Sequence, residues 1–246
     1  MKRKAPYDTK FYEERIDSLK SAKQIVPYLI ELFNPQSVVD VGCGTGEFLS
    51  VFFDYGITNI KGIDGEWVKG QKLRIPEDKF IVMDLENPTF LTDRFDLVIS
   101  LEVAEHLQYS AANNFIKFLS SLGNLIVFSA AIPFQGGLHH INEQWPDFWF
   151  KQFSDCGYYP IDCFRSNFWD NDEVAFWYSQ NMFLFVKDGI LEPHHKVFQY
   201  KSDKLPIRIV HPKLYQKKVE ELSKFQKLIP KSILNGYSYF KRIIKK

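Results

Sequence analysis

The chain has 246 residues, of which 45% are hydrophobic and 16% aromatic, so it can bury a full core without disulfides or structural metals. No run of about 18 uninterrupted apolar residues occurs, and the start MKRKAPYDTK lacks the apolar segment of a signal peptide, so we expect a soluble, cytoplasmic protein. The formal net charge is only +1, but the charges are unevenly placed. The three cysteines follow neither a metal-ligand nor a redox spacing and are interpreted as reduced packing thiols.

A helix predicted at 11–33 is followed by short β-rich runs that alternate with helical stretches, the pattern of a parallel sheet covered on both faces. Pro146 in a first turn and Gly157 as a C-terminal cap support a helix at 145–156. Further helices are predicted at 47–55, 104–107 and 111–122, and strands at 37–41, 59–63, 80–83, 95–100, 124–130, 161–164 and 181–186. The expected fold class is α/β, with a doubly wound, seven-stranded, mainly parallel sheet.

Beyond Asp188 the pattern changes, and we expect a domain over 1–188 followed by a basic, partly helical C-terminal extension over 189–246. Two basic amphipathic helices are predicted at 213–228 and 232–244. Residues 201–246 hold thirteen Lys or Arg residues against three acids, whereas the first 200 residues carry a balance of −9. This distribution indicates either an anionic partner for the tail or simply solvated lysines.

A glycine-rich turn, VVDVGCGTGEF, follows the first predicted strand. Glycines at this place let the backbone approach a ligand closely, and the following helix offers free N–H groups to an anionic group. The spacing is G-x-G-x-G, with glycines at 42, 44 and 46, and differs from the G-x-G-x-x-G of dinucleotide-binding proteins. By itself, the turn is as consistent with a structural role as with a ligand site.

Three acids, Asp40, Asp64 and Asp84, close the first three predicted strands. Because open α/β sheets bind ligands at the carboxyl ends of their strands, we expect these side chains to share a crevice. Asp64 follows Gly46 by 18 residues, close to the spacing of about 20 at which an acid binds a ribose hydroxyl. A ligand with a cationic amine, a ribose and an adenine amino group would suit this set.

These motifs, together with IKGIDGE, VMDLENP and FDLVISLEVAEHL, resemble the class I S-adenosylmethionine-dependent methyltransferases over about residues 35–135. The resemblance implies a Rossmann-like fold and methyl transfer from S-adenosylmethionine, with the protein aligning the attacking atom. It also implies a set of cofactor-binding residues: Gly42, Gly44, Gly46 and Asp40 at the methionine end, Asp64 at the ribose, Asp84 and Leu85 at the adenine, and Cys43 and Leu101 in the same pocket.

The string LEVAEHL places Glu102, Glu105 and His106 at i, i+3 and i+4, so on a helical turn the three side chains would share one face. Two carboxylates and an imidazole are a suitable ligand set for a divalent cation. The alternative is a helix-starting glutamate, a solvated glutamate and a histidine bonded to backbone. Many methyltransferases of this class carry a similar string in which the glutamate lines the cofactor pocket.

A second segment, GGLHHINEQW, follows the fifth predicted strand. The E-x-x-E-H string resembles that of small-RNA 2′-O-methyltransferases and ubiquinone-pathway O-methyltransferases, where it binds Mg²⁺ or a related divalent cation, and the RNA enzymes add a histidine from this loop. The resemblance implies four metal ligands, Glu102, Glu105, His106 and His140, with His139 as the substitute for His140. Such a cation would lower the pKa of an acceptor hydroxyl. Without a cation, His140 or His106 would be the candidate catalytic base.

The same loop and the helix after it are rich in aromatic residues, of which we interpret Phe148 and Phe150 as core. Gly136 and Gly137 would let the loop move as a lid over the acceptor. A second aromatic group surrounds RSNFWDNDEVAFWYSQN and offers faces that stack on sugar rings, nucleobases or other flat surfaces. Arg165 is expected to pair either with an anionic acceptor or with a neighbouring acid such as Asp162.

The segments HINEQWPDFWFKQFSDCGY and FWDNDEVAFWYSQNMFLFV resemble bacterial methyltransferases of surface-glycan gene sets, which implies a hydroxyl acceptor on a sugar, glycan intermediate or other small molecule. The basic C-terminal helix would hold the enzyme at the anionic inner face of the membrane or dock on its own acidic body.

Two rival hypotheses stay open. One is RNA ribose 2′-O-methylation, which the acidic body disfavours, and the other is a non-catalytic cofactor-binding subunit.

Overall fold

The computed structural model describes residues 16–192, 195–201 and 208–228. The chain forms two compact units, residues 1–209 and residues 210–246. The helix predicted at 232–244 and the first five residues of the one predicted at 11–33 lie outside the described residues. Among the helices of the described segments, none is both long and apolar enough to span a bilayer.

The first unit contains one sheet and six α-helices within its described residues. The strands are β1 Ser37–Val41, β2 Asn59–Asp64, β3 Phe80–Val82, β4 Leu97–Leu101, β5 Leu125–Ser129, β6 Tyr158–Ile161 and β7 Phe183–Lys187. The helices are α1 Ile16–Phe33, α2 Glu47–Asp54, α3 Ala112–Leu122, α4 Pro146–Ser154, α5 Arg165–Phe168 and α6 Phe176–Asn181. The second unit contains α7, Pro212–Leu228, in agreement with the helix predicted at 213–228.

The seven strands are arranged in the order β3-β2-β1-β4-β5-β7-β6. Strands β1 to β5 pair in parallel, whereas β7 runs antiparallel to both β5 and β6. The predicted seven-stranded, mainly parallel, Rossmann-like sheet is thus confirmed. Chain order reverses between β1 and β4, which is where doubly wound sheets open a crevice at the carboxyl ends of their strands.

Both faces of the sheet are covered, because β1, β4 and β5 are buried along their whole length. Val38 and Val127 pack on one face in a cluster that also contains residues of α1 and α2. Val39 and Val98 point to the other face, against α3 and α4. Each fully buried Leu, Ile or Phe contributes about 1.5–3 kcal/mol, so this two-sided burial fixes where the strand ends lie.

The strand predicted at 161–164 is wrong by three residues. The observed β6 is Tyr158–Ile161, and Phe164 already precedes helix α5. Pro160 lies within this strand, although proline cannot donate a hydrogen bond to a ladder. The strand forms nevertheless, since β6 lies at the edge of the sheet and pairs there only with β7. Gly157 ends the preceding turn with a φ of 76°, as expected of a C-terminal cap.

Candidate functional site

The glycine turn lies at the point where the strand order reverses. Asp40 in β1 is paired with Gly62 of β2 and Ile99 of β4, so the turn after β1 is flanked by both neighbouring strand ends. Gly42 and Gly44 have φ values of 84° and 56°, which disfavour any residue with a side chain. A Cβ on Gly42 would lie 2.2 Å from the Val103 side chain. Gly42 is therefore required both by its backbone conformation and by close packing, and Gly44 by its backbone conformation.

Asp64, at the end of β2, is buried and holds the glycine turn directly. One carboxylate oxygen accepts the Gly44 N–H at 2.7 Å, and the other accepts the Gly65 N–H at 2.6 Å. The residue predicted to bind a ribose is thus positioned against the turn predicted to bind the methionine end. Because each carboxylate oxygen has two lone pairs, Asp64 keeps capacity to accept hydrogen bonds from a ligand.

The crevice is electronegative around Cys43. Burial raises the pKa of the Cys43 thiol well above its ordinary value, and the nearby carboxylates of Asp64, Asp40 and Glu47 raise it further. The thiol is therefore neutral, in agreement with its predicted packing role. Three carboxylates around a buried thiol favour a ligand that brings positive charge into the crevice.

Glu47 is a site residue that the sequence prediction missed. It is 4% exposed, begins helix α2 directly after Gly46 and accepts a hydrogen bond from the Thr45 hydroxyl at 2.6 Å. Arg74 approaches the same carboxylate at 3.8 Å. The available signal was an acid placed immediately after the third glycine of the turn, where the N–H groups of a helix start favour a negative charge.

The remaining predicted cofactor residues lie at the ends of β3 and β4. Asp84 follows β3 by two residues, is exposed, and accepts hydrogen bonds from the Glu86 N–H and the Asn87 amide. Leu85 beside it is 2% exposed, and Leu101 ends β4 at 6% exposure. The end of β3 therefore presents a hydrogen-bonding acid beside an apolar leucine, which suits an adenine ring with its amino group, whereas Leu101 belongs to the core cluster on the other face of the sheet.

Glu105 and His106, in the connection after β4, come together with His140, in the connection after β5. Their candidate ligand atoms all lie within 4.8 Å of one another, and the two imidazole rings meet edge to face with centroids 4.8 Å apart. Residues 104–106 form a single 3₁₀ turn instead of the predicted helix. His139 is exposed and does not belong to this group, whereas His140 is only 12% exposed.

Neither carboxylate oxygen of Glu105 has a hydrogen-bond partner in the described part of the chain, although the residue is fully buried. Burial raises the pKa of this carboxyl well above its ordinary value, and the charge of Glu102 raises it further. An ionised carboxylate without partners is costly in a protein interior. The Glu105 side chain is thus suited to a proton or a cation that neutralises it.

Glu102 lies outside the 3₁₀ turn that holds Glu105 and His106, and its φ of 54° is in the left-handed region, but its carboxyl group still interacts directly with that of Glu105. Gln135 and Asn181 donate amide hydrogen bonds to its carboxylate at 2.9 Å and 3.1 Å. Burial raises the pKa of Glu102 to about 7 despite these bonds. The structure therefore brings three of the four predicted metal ligands together and places Glu102 in a neighbouring amide network.

Residues 133–144, hereafter the acceptor loop, lie in the connection between β5 and α4. The N–H groups of Ile141 and Asn142 both donate to the Glu105 carbonyl at 2.9 Å, which fixes this loop to the 3₁₀ turn. Phe134 has a φ of 68° and is 85% exposed, so its ring projects from the loop in a constrained backbone conformation. Left-handed non-glycine residues cost about 1–3 kcal/mol and concentrate at functional sites.

Most of the other aromatic side chains in the two predicted groups pack in the protein interior. Phe150 is buried in the core as predicted, and Phe148 is partly buried and packs against the same cluster. In the second aromatic group, Phe164, Phe168 and Tyr178 are buried. Arg165 forms an ion pair with Asp162 at 2.6 Å, the second of its two predicted partners.

A family model described as a methyltransferase domain matches residues 12–168. The chain belongs to this methyltransferase family. The sequence resemblance to the class I S-adenosylmethionine-dependent enzymes is thereby confirmed, and with it the prediction that the protein is a methyltransferase that uses S-adenosylmethionine. Among curated protein sequences, none matches this methyltransferase significantly.

Solved structures share the fold of this methyltransferase at low sequence identity. The methyltransferase domain of bacterial CtHen1-C is 19% identical, with a TM-score of 0.51 over 68% of this chain and 97% of its own. The sugar N-methyltransferase KedS8 from Streptoalloteichus sp. ATCC 53650 is 14% identical, with a TM-score of 0.56 over 72% and 91%. Magnesium protoporphyrin IX methyltransferase from Synechocystis PCC 6803, with bound SAH, is 18% identical, with a TM-score of 0.50 over 74% and 88%. The names of these proteins indicate different methyl acceptors, so the shared fold does not identify the acceptor of this methyltransferase.

Proposed function

We propose that this methyltransferase transfers the methyl group of S-adenosylmethionine to a hydroxyl of a sugar, glycan intermediate or other small molecule, with the help of a divalent cation. The observation that carries the proposal is the group of Glu105, His106 and His140 beside the crevice. A buried carboxylate without a hydrogen-bond partner next to two imidazoles is an arrangement that a cation would stabilise. The same groups would serve a hydroxyl acceptor, which must lose a proton as it is methylated.

The residues of the crevice suit the charges of the cofactor. S-adenosylmethionine carries a sulfonium and an amine, both positive, and the carboxylates of Asp40, Asp64 and Glu47 surround the glycine turn. Asp64 is the candidate acceptor for ribose hydroxyls, and Leu85 the apolar contact for the adenine. The sulfonium activates the methyl group, so the main task of the protein is to hold the acceptor atom about 3–3.5 Å from it.

Glu105, His106 and His140 are the candidate cation ligands. Imidazole and carboxylate together suit Mn²⁺, Fe²⁺ or Zn²⁺, and Mg²⁺ would require further oxygen ligands. A bound cation would lower the pKa of the acceptor hydroxyl and fix its orientation. In a cation-free version, His140 or His106 would accept the hydroxyl proton as a general base.

The acceptor side of the crevice favours a neutral acceptor over a phosphate-rich one. Neither the stretch 101–116 nor the acceptor loop contains a Lys or Arg residue. Phe134, Leu138 and Ile141 of the acceptor loop are all more than half exposed. Nucleic-acid sites rely on Lys and Arg contacts to phosphates, whereas sugar rings bind to aromatic faces. We therefore favour a sugar or small-molecule hydroxyl over an RNA ribose.

The acceptor class is tested by incubating the full chain with methyl-labelled S-adenosylmethionine and three acceptor pools: glycan extracts, nucleotide sugars and small RNA. Label in a sugar hydroxyl is the expected result. Label in RNA ribose would replace the sugar proposal by the RNA 2′-O-methyltransferase alternative. Binding of the cofactor without label in any pool, over a broad acceptor screen, would contradict the proposed activity.

The cation is tested by calorimetric titration of Mn²⁺ into metal-free protein and by chelation during turnover. Glu105→Gln and His140→Gln should each weaken Mn²⁺ binding by at least about tenfold, because each removes a ligand. His139→Gln is the matched comparison and should bind Mn²⁺ like the wild-type chain. Full activity after exhaustive chelation would remove the cation from the proposal and leave the histidine-base version.

A further inference from the structure

One carboxylate, that of Glu143, contacts three points of the acceptor loop. Its Oε2 accepts the Phe134 N–H at 2.7 Å, and its Oε1 accepts the Gly136 N–H at 2.6 Å. The same Oε1 lies 2.9 Å from Nδ1 of His140. Both side chains are largely buried, at 17% exposure for Glu143 and 12% for His140. Glu143 therefore closes the acceptor loop around the imidazole.

The chemistry of this contact determines which nitrogen of His140 carries the proton. An ionised carboxylate only accepts hydrogen bonds, so Nδ1 must donate. In a neutral imidazole the other nitrogen, Nε2, then carries the lone pair that binds a cation or accepts a proton. Without such a carboxylate, either nitrogen of the imidazole could carry the proton, and the lone pair would not be confined to Nε2.

We propose that Glu143 is a positioning residue that holds His140 in the Nδ1–H tautomer and fixes its ring beside Glu105 and His106. The use of the Nε2 lone pair in methyl transfer rests on the function proposed above, whereas the tautomer and the ring position do not. Orientation of a metal-binding or catalytic histidine by a second hydrogen bond is a general device, and its loss typically costs about 10–100-fold.

The backbone of the acceptor loop supports this role. Phe134 and His139, on either side of the glycine pair, both have left-handed φ values, 68° and 60°. Such strain persists only where other contacts hold it, and the Phe134 N–H is held by Glu143. A Cβ on Gly137 would lie 2.2 Å from Nε2 of His140, so the ring sits directly on this glycine.

A neutral amide cannot replace Glu143 in this position. The carboxylate accepts three hydrogen bonds, two of them at Oε1. A glutamine offers one acceptor oxygen and an amide group that donates. In Glu143→Gln, either the loop amides lose an acceptor or the new amide donates to Nδ1, which would place the imidazole proton on Nε2. Glu143→Asp keeps an acceptor-only group and should keep the tautomer.

The test is NMR on metal-free protein with ¹⁵N-labelled histidine, at about pH 8.5, above the ordinary histidine pKa of about 6.5. Long-range ¹H–¹⁵N correlations identify the protonated nitrogen, and His140→Gln assigns the signals. The wild-type chain and Glu143→Asp should show Nδ1–H, and Glu143→Gln should show Nε2–H or a mixture. Glu77 is exposed, so Glu77→Gln is the matched control and should give the same His140 tautomer as the wild-type chain. An Nε2–H tautomer in the wild-type chain would overturn the proposal, as would an Nδ1–H tautomer that persists both in Glu143→Gln and in Glu143→Ala, which has no side-chain acceptor at all.

Kinetics separate this inference from the proposed function. With a working acceptor, Glu143→Gln should lower kcat by at least about tenfold and leave the KM for S-adenosylmethionine unchanged, because the cofactor residues lie on other strand ends. An unchanged kcat together with an unchanged tautomer would overturn the positioning role while leaving methyl transfer intact. Conversely, an Nδ1–H signal in a chain that methylates no hydroxyl would refute the proposed function alone.

Discussion

Carboxylates of this methyltransferase differ in function because they differ in partners. Asp64 accepts backbone N–H groups with both oxygens, whereas Glu105 is fully buried and has no hydrogen-bond partner in the described residues. The first arrangement stabilises the charged form and makes a rigid acceptor. The second disfavours the charged form until a cation or proton arrives. Similar residues in one crevice thus suit two different ligands.

Replacing Asp64 by alanine should weaken S-adenosylmethionine binding by more than about tenfold, since a hydrogen bond to a charged group is worth about 1.5–3 kcal/mol. The glycine turn would also lose the acceptor for the Gly44 N–H. Calorimetric titration measures the affinity. Asp78→Ala, which removes an exposed acid, is the control and should bind normally. An unchanged affinity for Asp64→Ala would refute the ribose assignment.

The free energy of unfolding should fall as the pH rises from about 4.5 to about 7. The pKa of Glu102 is ordinary when unfolded but about 7 when folded, so over this interval the folded state binds more protons. The loss is on the order of 3 kcal/mol for metal-free protein, at about 1.4 kcal/mol per pKa unit. Urea unfolding at several pH values measures it. The raised pKa of Glu105 acts in the same direction, so Glu102→Gln should make the fall in stability smaller without removing it, and Glu77→Gln should leave it unchanged. An equally steep fall in Glu102→Gln would contradict the shift.

The candidate site is formed mainly by the short connections between strands and helices. The glycine turn joins β1 to α2 and packs against Val103 in the connection after β4. Hydrogen bonds from Ile141 and Asn142 bind the acceptor loop to the Glu105 carbonyl. The glycine turn and the acceptor loop therefore meet through the segment 102–106.

Gly42→Ala should destabilise the protein and abolish cofactor binding. Any alanine with a φ near +85° costs about 1–2 kcal/mol, but this Cβ would also lie 2.2 Å from Val103. Gly56→Ala is a matched control, because Gly56 has a φ of 87° and no atom within 4 Å of the added Cβ. Thermal unfolding and S-adenosylhomocysteine titration should show a larger loss for Gly42→Ala. Equal losses would mean that close packing at Gly42 is unimportant.

The predicted elements were accurate where local pattern and burial agree. Strands β1, β4 and β5 are mostly apolar and buried along their whole length, and α3 has an apolar face that packs on the sheet. The prediction was wrong for the bounds of β6, an edge strand that contains Pro160. It was also wrong that one helical turn holds Glu102, Glu105 and His106, because Glu102 has a left-handed backbone conformation and precedes the 3₁₀ turn. Backbone conformations of this kind depend on distant contacts.

The chain as a whole combines a sheet-containing unit with a separate C-terminal unit, residues 210–246. Truncation after Lys231 should reduce sedimentation with anionic vesicles, because the sequence predicts a basic amphipathic helix at 232–244. Neutral vesicles are the control, and a variant with the five Lys and Arg residues beyond 228 changed to Gln separates charge from length. Equal sedimentation of both chains would favour docking on the acidic body instead.

The sequence by itself determined the parallel sheet, the glycine turn and its three acids, because alternating apolar runs and glycine spacing are local properties. Only the tertiary structure decided that His140, and not His139, joins Glu105 and His106, and that Glu143 holds its ring. These residues come from connections after different strands, and their meeting depends on loop backbone conformations that no local pattern encodes.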